Sequence, residues 1–169
     1  MKNIFMLFIL CGLAACNYPQ SYSEIKPGTK LVIHQTLTIN AGSARVMLQH
    51  GKIISLRQLE AYQPRCWFIA QQVKSSSQKI IPGVFSIKRV RQHDEIVQVP
   101  VSGYPLASML SSASLTAVDY ATEFDLESTQ QSGINRLICS HWEDPDDANH
   151  LTAKQINAAL GDYASIEMN

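Results

Sequence analysis

The amino-acid sequence predicts a mainly β protein: a single small antiparallel barrel or sandwich with one C-terminal helix. Three observations carry this expectation. Apolar and polar residues alternate over several short stretches, the period of half-buried strands. Clusters of Gly, Ser, Asn and Pro separate those stretches, as turns between neighbouring strands require. Only one segment, near the C-terminus, combines a capping signal with apolar residues at helical spacing. The chain has 169 residues, enough for one domain and hardly two.

The elements follow in order. In residues 31–39, Leu31, Ile33, Leu37 and Ile39 share one face, with Gln35 the exception, and His34, Thr36 and Thr38 take the other. One strand is expected there, then a turn at 40–43. Residues 44–49 resume the alternation through Val46 and Leu48, and His50-Gly51 turns the chain into Lys52-Ile53-Ile54. Residues 57–64 are irregular and read as a short helix or loop, and residues 66–73 (CWFIAQQV) as a strand. After a serine-rich turn at 74–78, Ile80-Ile81-Pro82-Gly83 leads into VFSIKRVRQ, and a second run, EIVQVPV, ends on Pro100. Proline donates no ladder hydrogen bond, so that strand end belongs at a sheet edge. Residues 102–114 read as the longest loop, and 115–126 and 134–142 as further strands. Thr152 and Gln155 form a capping box, and Ile156, Ala159, Leu160 and Tyr163 then recur at helical spacing, with Gly161 placed to end the helix early. Seven or eight short strands and one helix result.

The start of the chain carries a different kind of signal. One positive charge, Lys2, precedes an apolar run over residues 4–15, too short to span a bilayer as a lone helix of about 20 residues. The run ends in Leu13-Ala14-Ala15-Cys16. This tetrapeptide resembles the lipobox of bacterial lipoproteins. The resemblance implies cleavage after residue 15, lipid on the thiol of Cys16, and a domain tethered to a membrane. Cys11 is no rival, because bulky Phe8-Ile9-Leu10 precede it. Residues 1–15 are then a signal peptide, 16–29 a lipidated tether, and 30–169 the β-rich domain. The tether, punctuated by Pro19, Pro27 and Gly28, reaches roughly 40 Å when extended. Asn17 after the cysteine, by resemblance to Gram-negative lipoproteins, implies release to the outer membrane, facing the periplasm. Stretches such as SARVMLQHGK, AYQPRCWF and IIPGVFSIKRV also resemble envelope lipoproteins of Gram-negative bacteria. That likeness implies envelope placement and brings no activity with it.

Charge excludes some partners. The chain has 14 basic and 14 acidic residues, and loss of Lys2 with the leader leaves the mature domain near neutral. No global field favours nucleic acid or an anionic surface. Cleavage leaves Cys16, which takes lipid, and an even pair, Cys66 and Cys139. In an oxidising compartment that pair is expected to form a disulfide.

Motifs for chemistry are sparse. The histidines, at 34, 50, 93, 141 and 150, show no i, i+3 or i+4 pairing on a helix, and neither H-E-x-x-H nor C-x-x-C occurs. A metal site therefore has no sequence support. His141 follows Cys139 by two residues and is expected on the same strand face. The acidic run Glu143-Asp144-Pro145-Asp146-Asp147 lacks the glycine of a calcium loop. Its charge is better explained by the helix dipole it precedes. No G-x-S-x-G, G-x-G-x-x-G or P-loop is present, so no catalytic serine and no cofactor is implied.

Two charge patterns remain. Arg89, Arg91 and His93 would line one face of a strand, a stripe suited to an acidic protein partner or an anionic glycolipid. The same pattern also serves as a protected sheet edge. Glu123 and Asp125, on one strand face, are the carboxylate pair that a hydrolase would use, though such a pair more often forms a solvated face. Tyr62 and Trp67 flank Pro64-Arg65-Cys66 and are expected in the core near the disulfide. Together these features predict a membrane-anchored envelope binding or assembly module. The alternatives are a small hydrolase acting on an envelope polymer, using Glu123 and Asp125, and a structural spacer.

Overall fold

The computed structural model describes residues 24–100, 114–145 and 149–168. The expected signal peptide, Cys16, Asn17, residues 102–113 of the expected long loop, and Asp146 and Asp147 lie outside them. The protein is mainly β, built on a curled eight-stranded antiparallel sheet, with one C-terminal helix. The strands are β1 (Lys30–Ile33), β2 (Leu37–Ile39), β3 (Arg45–Gln49), β4 (Lys52–Ile54), β5 (Arg65–Ala70), β6 (Gln78–Ile80), β7 (Gly83–Pro100), β8 (Ser114–Glu127), β9 (Ile134–Glu143) and β10 (Ala164–Glu167). The helix α1 is Ala153–Leu160. The large sheet runs β10-β1-β7-β8-β9-β5-β3-β4, and β2 and β6 form a separate pair.

The core lies on one face of this sheet. Phe85, Ile87, Phe124, Leu137, Phe68 and Leu48 project into it from successive strands, all fully buried. Leu37, Ile39 and Ile80 of the small β2–β6 pair and Ile156, Ala159 and Leu160 of α1 complete it. Cys66 and Cys139 stand opposite one another on β5 and β9 and form a disulfide with both residues fully buried. Their Cα atoms are 4.1 Å apart, the close approach of a directly opposed antiparallel pair. His141 shares their face, as the two-residue spacing predicts.

The helix starts where its capping box says it should. Thr152 Oγ1 accepts the Gln155 backbone N–H at 3.3 Å, and Gln155 Oε1 accepts the Thr152 backbone N–H at 2.9 Å. The Glu24 carboxylate accepts the Ala153 N–H, adding negative charge where the dipole favours it. Gly161 ends the helix with φ 58°. A Cβ there would lie 2.3 Å from the Cα of Gly51, so both glycines permit the β3–β4 turn to touch the helix end.

Four expectations need correction. Residues 31–39 are not one strand. The chain breaks at residues 34–36, where the N–H groups of His34 and Gln35 donate to the carbonyl of Tyr163, and β1 and β2 enter different sheets. Gln35, polar on an otherwise apolar face, marks that break. The two runs around residues 84–101 are instead one strand, because β8 pairs with β7 continuously across His93 and Asp94. Tyr163 falls beyond α1 itself, in a 3-10 turn over Gly161–Tyr163 that continues from it. The chain turns there into β10, which pairs with β1 and is pinned by Asn157, whose side chain exchanges two hydrogen bonds with Ile166. Finally, residues 24–29 of the expected tether lie against the domain. Ile25 is in the core, and Gly28 N–H donates to Ile87 O at 2.7 Å.

Candidate functional site

The site is built on the β7–β8 hairpin. Both strands are long, and their register runs from Ser86–Glu127 to Pro100–Ser114. On its other side β7 pairs with β1 only over Gly83–Ser86. Ile87 N–H then donates to Thr29 O. At Lys88 the register with β8 slips by one residue, so that Ile87 faces Leu126 and Arg89 faces Asp125. This is a β-bulge, which adds local twist and turns a strand away from its neighbour. From Lys88 onward, among the described residues, no strand pairs with the outer edge of β7. That edge is roughly 35 Å long to Gln98.

The two end strands of the large sheet are managed. Asn157 occupies backbone groups of β10, and β4 at the far edge has three residues. Short or covered edges resist unwanted pairing. Among the described residues, the outer half of β7 is neither short nor covered.

The register places Arg89, Arg91 and His93 on one face of β7, as the sequence predicts, away from the core. Opposite them stand Asp125, Glu123 and Ala121. Arg91 is bidentate on Asp125, at 2.7 and 3.0 Å, and reaches Glu123 at 2.6 Å. The hydrogen bonds to Glu123 and then Asp125 raise its guanidinium above the ordinary pKa. Arg136 of β9 holds the same Glu123 oxygen at 3.2 Å. The predicted carboxylate pair is thus clamped between arginines. Arg89 approaches Asp125 only at 3.7 Å, with its side chain 67% exposed. The basic stripe is therefore largely neutralised within the sheet, with Arg89 the least satisfied member.

Further along the same face, the charges change sign. Glu95 lies opposite Asp119, a like-charged cross-strand pair. Asp119 is committed to Arg65 on β5, at 2.9 Å. Arg65 is buried, lies 5.8 and 5.9 Å from the Trp67 and Trp142 ring centroids, and donates to the carbonyl of Ala61. Burial lowers its pKa, while the Asp119 charge acts in the opposite direction. Tyr62 packs edge-on against Trp142. So Tyr62 and Trp67 belong to this cation–aromatic stack on the outer face, and Cys66 points into the core between them.

A polar cluster that the sequence did not reveal sits on the core side of the hairpin. His141 Nε2 lies 2.8 Å from Glu143 Oε2, and His150 Nε2 lies 3.1 Å from Asp94 Oδ1. Tyr120 stands between them, its ring 6.3 Å from His141 and 5.6 Å from His150. Burial lowers the His150 pKa, Asp94 opposes this, and His141 and His93 add to the lowering. Burial also raises the Tyr120 pKa, with Asp94 and Glu143 acting the same way. Both histidine side chains are more than nine-tenths buried. Their Nδ1 atoms have no hydrogen-bond partner among the described residues. No group of three or more His, Cys, Asp or Glu among those residues is placed to hold a metal ion. The only sequence signal for the cluster was the two-residue spacing of His141 and Glu143.

A shallow cleft of about 320 Å³ lies elsewhere, between the β6 region and the β8–β9 turn. Lys74, Lys79, Gln130 and Gln131 line it, and no carboxylate or histidine does. No helix among the described residues is long and apolar enough to cross a membrane. Comparison with protein-family models, curated proteins and solved structures finds no match for this chain.

Proposed function

We propose that this chain is a lipid-anchored module of the bacterial cell envelope, held by Cys16 at the outer membrane and facing the periplasm. It binds or assembles by adding a strand to the free edge of β7. The observation that carries the reading is that edge: a row of backbone donors and acceptors from Lys88 onward with β8 on one side and, among the described residues, no strand on the other. An extended segment laid along it gains a ladder of main-chain hydrogen bonds, while alternate side chains supply selectivity.

Two further features support the reading. The buried Cys66–Cys139 disulfide suits an oxidising compartment such as the periplasm. The compensation of Arg91 by Glu123 and Asp125 leaves little net positive charge for a glycolipid, which favours a protein segment as the ligand.

The test is in-cell photo-crosslinking of the full-length protein. A photoreactive residue replaces His93 or Gln98, one on each face of β7, or Lys52 on β4 as the control. Adducts are then identified by mass spectrometry. The reading predicts the same identified envelope protein, or a second copy of this chain, from both β7 positions and not from Lys52. No adduct, or equal adducts from all three positions, contradicts it.

A further inference from the structure

We infer that the strand added to β7 is β7 of a second copy, running antiparallel about a two-fold axis at Gln92. This rests on the reading of the β7 edge as a binding surface and names its partner.

Two charges on the outer half of β7 are incompletely satisfied. Arg89 has only the 3.7 Å contact to Asp125, and Asp125 already gives both oxygens to Arg91. Glu95 is exposed and forms no ion pair among the described residues. Its cross-strand neighbour is Asp119, which is engaged by Arg65. The hairpin thus carries an open positive charge at one end of its free edge and an open negative charge further along. They are about 20 Å apart, too far to meet within one molecule.

Both project from the same face of β7, because the register pairs them with Asp125 and Asp119, alternate residues of β8. They are also equally spaced from Gln92 in sequence. A two-fold axis through Gln92 therefore sets Arg89 of each copy opposite Glu95 of the other. The contact is isologous, so it forms twice and closes. Opposed charges of this kind stabilise an antiparallel pair, and like charges destabilise it.

The same pattern selects against other arrangements. A parallel, in-register pairing would set Arg89 beside Arg89 and Glu95 beside Glu95. Unrelated apolar strands would bury Arg89 and Glu95 without partners. Mixed charge on an edge normally discourages pairing; here the order of the charges excludes most pairings and admits one. The Lys88 bulge sets one limit of the contact, since toward Gly83 the edge is occupied by β1.

The test measures self-association of the full-length lipoprotein in detergent by sedimentation velocity, with each variant checked for native circular dichroism. Arg89→Glu and Glu95→Arg each replace two attractive contacts per dimer with two repulsive ones, and each is expected to weaken association by about tenfold or more. The double variant R89E/E95R restores both attractions with the charges exchanged, and association should return to within about threefold of the wild type. Glu95→Arg alters an exposed residue, so it remains informative if Arg89→Glu perturbs the fold. In parallel, Gln92→Cys should form an intermolecular disulfide under mild oxidation, whereas Ile53→Cys on β4 should not.

A wild type that stays monomeric at about 100 μM, above the range of a weak but specific dimer, overturns the inference. So does a double variant no better than the single ones. If the purified chain is monomeric while His93 and Gln98 capture another envelope protein in cells, the edge-binding reading stands and self-pairing fails. If those positions capture nothing, both fail.

Discussion

Phe85 and Ile96 lie on the same strand and point to the same side of the sheet, yet one is fully buried and the other is 73% exposed. The difference divides β7 into two halves. From Gly83 to Ile87 the strand pairs with β1 and, from Ser86 onward, with β8, and it faces the common core. Beyond the Lys88 bulge it keeps β8 and loses its other neighbour. One strand thus serves as scaffold in its first half and as a presented edge in its second. A rigid strand anchored at one end holds its free edge better than a loop could.

The largest effect is expected in the scaffold half. Phe85→Ala removes a fully buried ring and should cost about 3–5 kcal/mol, read from urea unfolding. A loss below about 1 kcal/mol would mean that this half is not integral to the core. Next comes Asp119→Ala, on β8 beside the presented half. It leaves Arg65 charged and buried, stacked on tryptophans but without its counterion. Because Asp119 is partly exposed, the expected cost is about 2–3 kcal/mol, below that of a fully enclosed pair. An unchanged unfolding midpoint would show that Arg65 does not anchor this end of the hairpin.

A smaller effect concerns pH. The His150 pKa lies below its unfolded value of about 6.5. As pH falls, the unfolded chain therefore takes up this proton before the folded one does. The stabilisation is fully present above pH 6.5 and is lost progressively as the pH falls toward the lower folded value. Comparing urea midpoints at pH 7.5 and 5.5 should show a loss at the lower pH that His150→Asn reduces. A loss that is the same in the variant would assign the effect to other groups.

The smallest effect belongs to the presented half. Ile96→Thr alters an exposed residue and should change stability by no more than about 0.5 kcal/mol. A larger loss would mean that Ile96 is covered in the isolated chain and that the division of β7 is wrong.

Much of the architecture was legible in the sequence. Alternation found β8 and β9, the Thr152–Gln155 box placed the helix start, and cysteine arithmetic gave the disulfide. These signals are local, or depend on having only two cysteines to pair. The division of β7 was not legible, because strand length depends on the partner that β8 supplies across the hairpin, and edge exposure on where β1 stops. The single face of Arg89, Arg91 and His93 followed from a period of two, but their neutralisation did not. Glu123 and Asp125 lie far along the chain and meet Arg91 only through register. The His141–Glu143 and His150–Asp94 pairs stayed hidden for the same reason, since β7, β9 and the segment before α1 must all converge on Tyr120.

The most direct measurement is amide hydrogen exchange along β7 in dilute protein, resolved between residues 83–87 and 88–98. In the first segment the account predicts protection of the amides that face β1. In the second, amides facing β8 should be protected, while those on the outer edge exchange at rates close to those of exposed loops. Raising the protein concentration should then slow the outer-edge amides. Continuous protection of residues 88–98 in the dilute monomer would mean that the edge is already covered, and would contradict the account.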